Sequence, residues 1–311
     1  MPNVSIITPC YNASGHIHDT VNSVRSQTYK SWEHLLINDG STDNTEKILA
    51  DLALEGPGLS LFSQVNGGVA SARNRGLSEI HKEAQYVLFL DHDDILDSEA
   101  IKTLVTQLEA NPEAVAAYGL PYYFGMPPTA NQTADITEWS RLRRGFTSNK
   151  ILDWPEKAPI NFDVLAVGNC ISTPGQILIR RSALDAIGLF DVAAAPSDDW
   201  DMWIRLSRKG NISFVDTCVT GWRQHENNQS HQIRRMAKSA RYVQQKMIMS
   251  EHNTPEQAHL ARLVYRAVEW IDLRDKLRFT QEMLRRGNLI EAVMQFQRAA
   301  RCLANYFFAF R

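Results

Sequence analysis

Short runs of apolar residues alternate with helical patterns along the first hundred residues. The runs are β-branched or leucine-rich, and each is bounded by polar or glycine-containing segments, which predicts buried strands. They lie at residues 4–8, 34–37, 59–62 and 86–90. The segments between them carry apolar residues at helical spacing, and Ser41 or Thr42 is placed to cap the second helix. This alternation predicts an α/β fold with a mostly parallel sheet and helices on both faces.

Polar clusters follow all four predicted strands. They lie at residues 8–12, 38–43, 66–68 and 91–94. Ligands of such sheets bind beyond the carboxyl ends of the strands, so the clusters predict one shared site. The chain has no GxGxxG after the first strand and no GxxxxGK[ST], so the two commonest nucleotide cradles are absent.

Three carboxylates in the fourth cluster are candidates for a metal site. Asp91, Asp93 and Asp94 would repel one another without a cation, which favours Mg²⁺ or Mn²⁺. The alternative is a turn before a helix that Asp97 or Ser98 would cap.

Arg73 is a candidate for binding an anionic diphosphate. It lies in NGGVASARNRG, where Gly67 and Gly68 would allow close backbone approach to a ligand at a helix start. The alternative is a solvated helix face, which is our expectation for the neighbouring Arg75.

Acidic residues open a later helix, DWDMWIRL. Asp198, Asp199 and Asp201 could complement the helix dipole there, or one of them could act as a general base beside aromatic bulk. His225 is a candidate metal ligand, with a structural hydrogen-bonding role as the alternative.

These motifs, taken in order, resemble the family 2 inverting glycosyltransferases. The matching segments are VSIITPCYN, LINDGSTDNT, NGGVASARNRG, FLDHDD, SDDWDMWIRL and WRQHENNQS, spread over roughly residues 3 to 230. The resemblance implies a GT-A fold with a Rossmann-like, mostly parallel sheet, and a C-terminal helical extension follows it. It also implies a nucleotide-sugar donor, most simply a UDP-sugar, and a divalent metal cofactor, Mn²⁺ or Mg²⁺.

The resemblance also implies residue roles on the nucleoside side. Thr8, Pro9 and Tyr11 would line the nucleoside, with Tyr11 near the base. Asp39 would bond the uracil edge, and Asp43 would support the same loop.

Further roles concern the diphosphate and the metal. Gly68 and Arg73 would contact the base or diphosphate, and Asp91 would hold the ribose or donor sugar. Asp93 and His225 would bind the metal, with Asp91 and Asp93 as the two ends of a DxD motif.

On the acceptor side, Asp199 would deprotonate the attacking hydroxyl, and Asp198 and Trp200 would lie near the acceptor. Two residues depart from the family pattern. Asp198 replaces a glutamate, and His92, grouped with the donor-binding residues, is bulky for the middle of DxD and could bind metal or face solvent. The implied mechanism is a single displacement with inversion.

The domain boundary is predicted near residue 230. We expect a transferase domain over 1–229, divided into a nucleotide half (1–97) and an acceptor half (98–229), and a helical region over 230–311. Residues 120–162 are expected to be irregular. Apolar residues of the last helix form a heptad-like seam: Leu289, Val293, Phe296, Ala300, Leu303, Phe307 and Phe310. This helix could lie on a membrane, pair with a second chain as a homodimer, or pack on its own domain.

Composition narrows the functional classes. With 33 basic and 35 acidic residues the chain is close to neutral, which argues against nucleic acid as the main partner. Four scattered cysteines and the absence of a leader predict a cytoplasmic protein, at most peripheral to the membrane. The acceptor would be a saccharide or a lipid-linked glycan. Two alternatives remain, a degenerate scaffold and a nucleotidyltransferase, although TPCYNASG offers no lysine for the second.

Overall fold

A computed structural model of the protein describes residues 1–125, 158–226 and 228–308. Across these residues the strands form a single eight-stranded sheet. The strands are β1 (Val4–Cys10), β2 (Trp32–Asp39), β3 (Leu59–Gln64), β4 (Tyr86–Phe89), β5 (Ile95–Leu96), β6 (Ala116–Gly125), β7 (Ile177–Arg180) and β8 (Ile212–Gln224). Their order across the sheet is β3-β2-β1-β4-β7-β6-β8-β5.

Six of these eight strands run in one direction. β1 is parallel to β2 and β4, β2 is parallel to β3, and β6 is parallel to β8. Strand β7 is antiparallel to both of its neighbours, β4 and β6, and the short β5 is antiparallel to β8. The carboxyl ends of β1 to β4, β6 and β8 therefore meet at the same edge of the sheet. The predicted α/β fold with a mostly parallel sheet is confirmed.

The described residues form the α-helices α1 (Ile17–Arg25), α2 (Thr45–Leu54), α3 (Val69–Glu79), α4 (Ala100–Ala110), α5 (Phe162–Val167), α6 (Arg181–Ile187), α7 (Asp198–Ser207), α8 (Ile233–Ile248), α9 (Pro255–Arg285) and α10 (Leu289–Phe308). Helices α1 and α4 cover one face of the sheet, and α3 covers the other. Successive β1 side chains show the two faces. Ile6 packs in a cluster with Val24 of α1 and Leu104 of α4, whereas Ile7 meets Gly76 of α3. A Cβ at Gly76 would lie 2.4 Å from Ile7 Cγ2, so this close approach of helix to strand requires glycine.

Two predicted local features are wrong. Helix α2 begins at Thr45, not at a cap from Ser41 or Thr42; Asp43 Oδ1 accepts the Thr45 N–H at 3.0 Å. The expected irregularity over 120–162 also fails at its first end. Strand β6 continues to Gly125 because β8 offers a long parallel partner, whereas residues 158–161 form only an isolated bridge from Ile160 to Ile212 before α5 begins. The remainder of that segment, 126–157, lies outside the described residues.

The chain divides into two compact units, Met1–Ala240 and Arg241–Arg311. The second unit contains α9 and α10, which pack through Leu273, Ala299 and Cys302. The four cysteines, all within the described ranges, form no disulfide. Within the described ranges, none of the helices is both long enough and apolar enough to cross a membrane.

Candidate active site

The strand-end edge carries a charged network centred on Arg73. This arginine lies on α3, whose backbone begins after Gly68, and it is only 4% exposed. Its Nη2 donates to Asp91 Oδ1 and its Nη1 to Asp198 Oδ2, both at 2.7 Å. The guanidinium also lies 5.4 Å from the Phe190 ring centre. Arg73 thus joins Asp91, just after β4, to Asp198 in the first turn of α7, which lies 125 residues further along the chain than Arg73.

Electrostatics keep this arginine charged. Burial lowers the pKa of Arg73, but the carboxylates of Asp91 and Asp198 outweigh burial and raise it. Its Nε is buried and has no hydrogen-bond partner among the described residues. The planar guanidinium can reach two carboxylates at once, which a lysine ammonium cannot do from the same position.

Asp199 has the properties of a general base. Its Oδ2 accepts a hydrogen bond from Asn169 Nδ2 at 3.1 Å, and its Oδ1 accepts the Trp200 N–H at 2.6 Å. Burial, and after it the neighbouring Asp198 carboxylate, raises the pKa of Asp199 to about 7. A carboxylate with a pKa near neutral can accept a proton and release it again at physiological pH.

Asp93 and His225 meet at the same edge. His225 follows the carboxyl end of β8, and its Nε2 lies 2.8 Å from Asp93 Oδ2. The His225 N–H donates to Asn228 Oδ1 at 2.6 Å, which fixes the turn, and the His16 ring centre lies 5.1 Å from that of His225. The structure therefore brings the two predicted metal ligands together, although no group of three or more His, Cys, Asp or Glu in the described ranges is arranged around a common metal position.

Asp39 makes its contacts inside the protein. Its Oδ1 accepts from Gly67 N at 2.8 Å and from Gln64 Nε2 at 2.7 Å, and its Oδ2 accepts from Gly68 N at 2.8 Å. The carboxylate thereby binds the orphan N–H groups before α3 and is 3% exposed. The two glycines predicted to approach a ligand instead present their N–H groups to Asp39.

The remaining predicted donor residues divide between interior and surface. Thr8 is fully buried, and its hydroxyl lies 2.8 Å from His34 Nε2. Pro9 is buried within β1, while Tyr11, just beyond the strand, is 45% exposed. Asp43 accepts hydrogen bonds from the N–H groups of Ser14 and Thr45. Of these four residues, Tyr11 and Asp43 are exposed and can be reached by a ligand.

His92 and Trp200 also differ in accessibility. The His92 side chain is half-buried, and its carbonyl accepts from the Thr20 hydroxyl at 2.8 Å. Trp200 is 3% exposed and donates its indole N–H to the Leu165 carbonyl at 2.9 Å, so its ring is part of the interior. Asp198 is 1% exposed and bonded to Arg73 rather than open to an acceptor.

Sequence reasoning missed the structural role of Asp94. Its Oδ2 accepts from Thr173 Oγ1 at 2.5 Å and its Oδ1 accepts from the Arg223 N–H at 3.0 Å. Burial, and then the neighbouring Asp93 and Asp91, raises the pKa of Asp94. Arg223 in turn donates to the Asp93 carbonyl at 2.8 Å and pairs with Asp19. Three distant segments thus fix the backbone that presents Asp91 and Asp93.

A family model described as glycosyl transferase family 2 matches residues 5–188. The chain belongs to glycosyl transferase family 2. The matched stretch contains Asp39, Arg73, Asp91 and Asp93 but ends before α7, so Asp199 and His225 lie beyond it.

Similar chains occur in bacteria. It is 28% identical over 244 residues to TuaG of Bacillus subtilis strain 168, a glycosyltransferase ascribed to teichuronic acid biosynthesis, covering 78% of this chain and 87% of TuaG. It is 27% identical over 232 residues to an uncharacterized glycosyltransferase of Rickettsia conorii, covering 74% of this chain. The chain spans about a third, 35%, of that Rickettsia protein's length.

Solved structures share the fold. The 1–349 fragment of Staphylococcus aureus TarS in complex with UDP-GlcNAc aligns with a TM-score of 0.60 at 16% identity, covering 97% of this chain and 92% of that one. The mannosyltransferase PcManGT of Pyrobaculum calidifontis, in complex with GDP-Man and Mn²⁺, aligns with a TM-score of 0.64 at 18% identity, covering 99% and 86%. These alignments support the GT-A fold of the family.

Proposed function

We propose that this family 2 glycosyltransferase is a metal-dependent, inverting hexosyltransferase. Its donor would be a nucleotide sugar, most simply a UDP-sugar, and its acceptor a hydroxyl of a saccharide or lipid-linked glycan. The observation that carries the proposal is the Arg73 bridge, because it couples Asp91 to the helix turn that presents Asp199. A transferase needs its donor-binding and base residues held in one fixed geometry.

Asp199 would act as the base. Its carboxylate would accept the acceptor proton while the acceptor oxygen attacks the anomeric carbon from the face opposite the nucleotide. Asn169 and the Trp200 N–H hold the carboxylate, which limits its rotation. A single displacement without an enzyme nucleophile inverts the configuration at the anomeric carbon.

Asp93 and His225 would hold the divalent ion, Mn²⁺ or Mg²⁺. Their donor set fits, because one carboxylate and one imidazole leave most of the coordination shell for donor phosphate oxygens, as is usual for such ions. An ion held there would neutralise charge that develops on the leaving diphosphate. Asp91, two residues before Asp93, forms an ion pair with Arg73, which adds a second positive charge to this edge of the sheet.

On the nucleoside side, the exposed Tyr11 is the strongest candidate to contact the base. Asp39 supports the same surface by fixing Gly67 and Gly68 at the start of α3. Asp91 would hold the ribose or donor sugar, with its Oδ1 fixed by Arg73. Thr8, Pro9 and Trp200 would contribute through the interior packing of the site.

The biological role proposed is surface polysaccharide or glycoconjugate synthesis in the cytoplasm. The relationship to TuaG supports this role, and four cysteines that form no disulfide fit a reducing compartment.

The decisive test is a donor screen with the purified full chain. Release of nucleoside diphosphate would be measured across UDP-, GDP- and dTDP-sugars, with Mn²⁺, with Mg²⁺ and with a chelator. We expect release from a UDP-sugar that requires the divalent ion and that Asp93→Ala abolishes, without a change in thermal unfolding. Arg75→Ala, on the same helix as Arg73 but outside the network, is the matched control and should keep full release.

Three outcomes would contradict the proposal. Release that persists undiminished in chelator would show that the reaction needs no divalent ion. Release from GDP-sugars alone would show that the donor is a GDP-sugar rather than a UDP-sugar. No release from any donor would favour a degenerate scaffold with the same fold.

A further inference from the structure

Helix α10 presents the heptad-like seam to the outside as far as Phe307, and Phe310 lies outside the described residues. Its inward side consists of small residues, with Ala292, Ala299 and Cys302 buried. The large apolar residues beside and across from this inward side are exposed, including Phe296 beside it at 60% and Ile290 across from it at 78%. The full exposed set is Leu289, Ile290, Val293, Met294, Phe296, Leu303, Phe307 and Phe308. Packing within the chain was one of the three expectations for the seam. The helix packs through its small residues instead, and the seam is left exposed.

Helix α9 carries a second exposed apolar row. Leu263, Trp270, Leu277 and Leu284 are spaced by seven residues, so they share one side of the helix, and all four are exposed. Ring contacts join this row to α10: Trp270 lies 6.1 Å from Tyr306, and Tyr306 lies 5.6 Å from Phe307. We call the second compact unit, Arg241–Arg311, the helical unit, and the two rows together its apolar face.

The charge of the helical unit is opposite to that of the rest of the chain. Residues 241–311 contain 12 Lys and Arg against 7 Asp and Glu, a net charge of +5. Residues 1–240 contain 21 against 28, a net charge of −7. Exposed arginines of the helical unit include Arg278, Arg285, Arg298 and Arg301. Exposed apolar side chains and cationic side chains therefore occur on the same two helices.

We propose that the apolar face binds an anionic lipid surface, with α10 lying in the plane of the membrane interface. Helices that bind in this way combine leucine and phenylalanine on one side with arginine or lysine elsewhere, and anionic lipids attract the cations. A second copy of the chain fits less well. A coiled-coil seam is narrow, whereas Ile290, Met294 and Phe308 extend the exposed apolar surface beyond the seam. Two copies would also bring like charges of +5 together.

The test is flotation of the full chain with lipid vesicles. One set contains phosphatidylcholine with about 30% phosphatidylglycerol, and the other contains phosphatidylcholine alone. We expect the chain to float with the anionic vesicles, and about tenfold more weakly with neutral vesicles or at high salt, because salt screens the lipid charge. Phe296→Asp combined with Leu303→Asp should lower binding to the anionic vesicles by at least about tenfold.

Matched variants separate lipid binding from unfolding. Leu54→Asp alters a side chain that is 86% exposed on α2, in the other unit, and should leave vesicle binding unchanged. Arg285→Glu with Arg301→Glu should weaken binding to anionic vesicles but not to neutral ones. Thermal unfolding of every variant should match that of the parent chain, because all of these side chains are exposed.

Three results would overturn the proposal. The first is no flotation with anionic vesicles, and the second is flotation that the α10 double variant does not reduce. The third comes from light scattering: a particle of about twice 35.2 kDa that does not float and that the same double variant dissociates. That third result would assign the apolar face to a second copy of the chain.

Discussion

The strand-end edge of the sheet and the helical unit differ in which side chains they bury. At the sheet edge, charged side chains such as Arg73, Asp94 and Asp198 are almost fully buried, and each is bonded to a partner. In the helical unit, large apolar side chains such as Ile290 and Phe296 face solvent. Burial of charge and exposure of apolar surface both cost free energy. At the sheet edge, pairing between the charged groups offsets this cost, and on the helices the proposed lipid surface would offset it.

This contrast indicates where substitutions should matter. At the sheet edge, the removal of one partner leaves a buried charge without compensation, so stability and activity should both respond. On the helices, exposed side chains contribute little to the isolated fold, so their replacement should change association and leave stability almost unaltered.

The largest expected effect is that of Asp199→Asn. Asparagine keeps the size, and its one carbonyl oxygen can still accept the Trp200 N–H, but it loses the bond from Asn169 Nδ2 and cannot accept the acceptor proton. We expect kcat to fall by about 10²–10⁴-fold with donor KM nearly unchanged. Steady-state kinetics with the donor found in the screen would measure this. Turnover within a few-fold of the parent enzyme would contradict the assignment, and Asp201 would then be tested next.

Arg73→Met should produce the largest loss of stability. It leaves Asp91 and Asp198 facing each other without their shared cation, and the loss of a partner from a buried pair costs about 3–5 kcal/mol. Denaturant unfolding would measure the change. Arg75→Met on the same helix removes only an exposed pair with Glu79 and should change the free energy of unfolding by less than about 0.5 kcal/mol. Equal effects of the two variants would argue against the bridge.

The pH dependence of turnover should show the raised pKa of Asp199. A base must be deprotonated, so kcat/KM should rise with pH up to about 7 and level off above it. Below that pKa the rate should fall about tenfold per pH unit, because only the ionised fraction is active. The residual activity of Asp199→Asn should lack this limb; if it keeps the same limb, another group is responsible.

Asp39→Ala should have a moderate effect. It removes the acceptor of the Gly67 and Gly68 N–H groups and of Gln64, and we expect a loss of about 1–3 kcal/mol in the free energy of unfolding. UDP affinity measured by calorimetry should fall as well, because the start of α3 loses its support. Asp39→Asn keeps one acceptor oxygen and should lose less of both quantities. Unchanged unfolding in Asp39→Ala would show that these bonds contribute nothing net.

The smallest effect is expected from Ile290→Ser. This side chain is 78% exposed, so its replacement should change the free energy of unfolding by less than about 0.5 kcal/mol. A loss greater than about 1.5 kcal/mol would mean that Ile290 is packed in solution, since a buried isoleucine contributes on that scale.

The sequence was sufficient to predict β1 to β4 because strand and helix periodicity are local properties. The polar clusters after β1 to β4 were also visible, since strand ends are marked by the change from apolar to polar residues. What the sequence did not reveal was the direction of individual side chains. Thr8 and Trp200 lie within functional motifs, yet both are buried and bonded to distant residues, His34 and Leu165. Those partners depend on which strands and helices become neighbours.

Two further misses have the same origin. Asp94 was read with Asp91 and Asp93 as one acidic cluster, but its carboxylate faces Thr173 and Arg223, residues that reach it only through β7 and β8. Strand β6 (Ala116–Gly125) was not predicted at all, because Pro121 and the glycines disfavour a strand locally, whereas pairing with β8 stabilises it.

The reversal of β7 has a consequence for how such a site can change. Because β7 runs against β4, the chain that enters β7, rather than the chain that leaves it, arrives at the carboxyl edge. Asn169 and Thr173 come from this incoming segment, and they position Asp199 and Asp94. An insertion or deletion ahead of β7 would therefore re-aim two carboxylates while every strand kept its residues and its register.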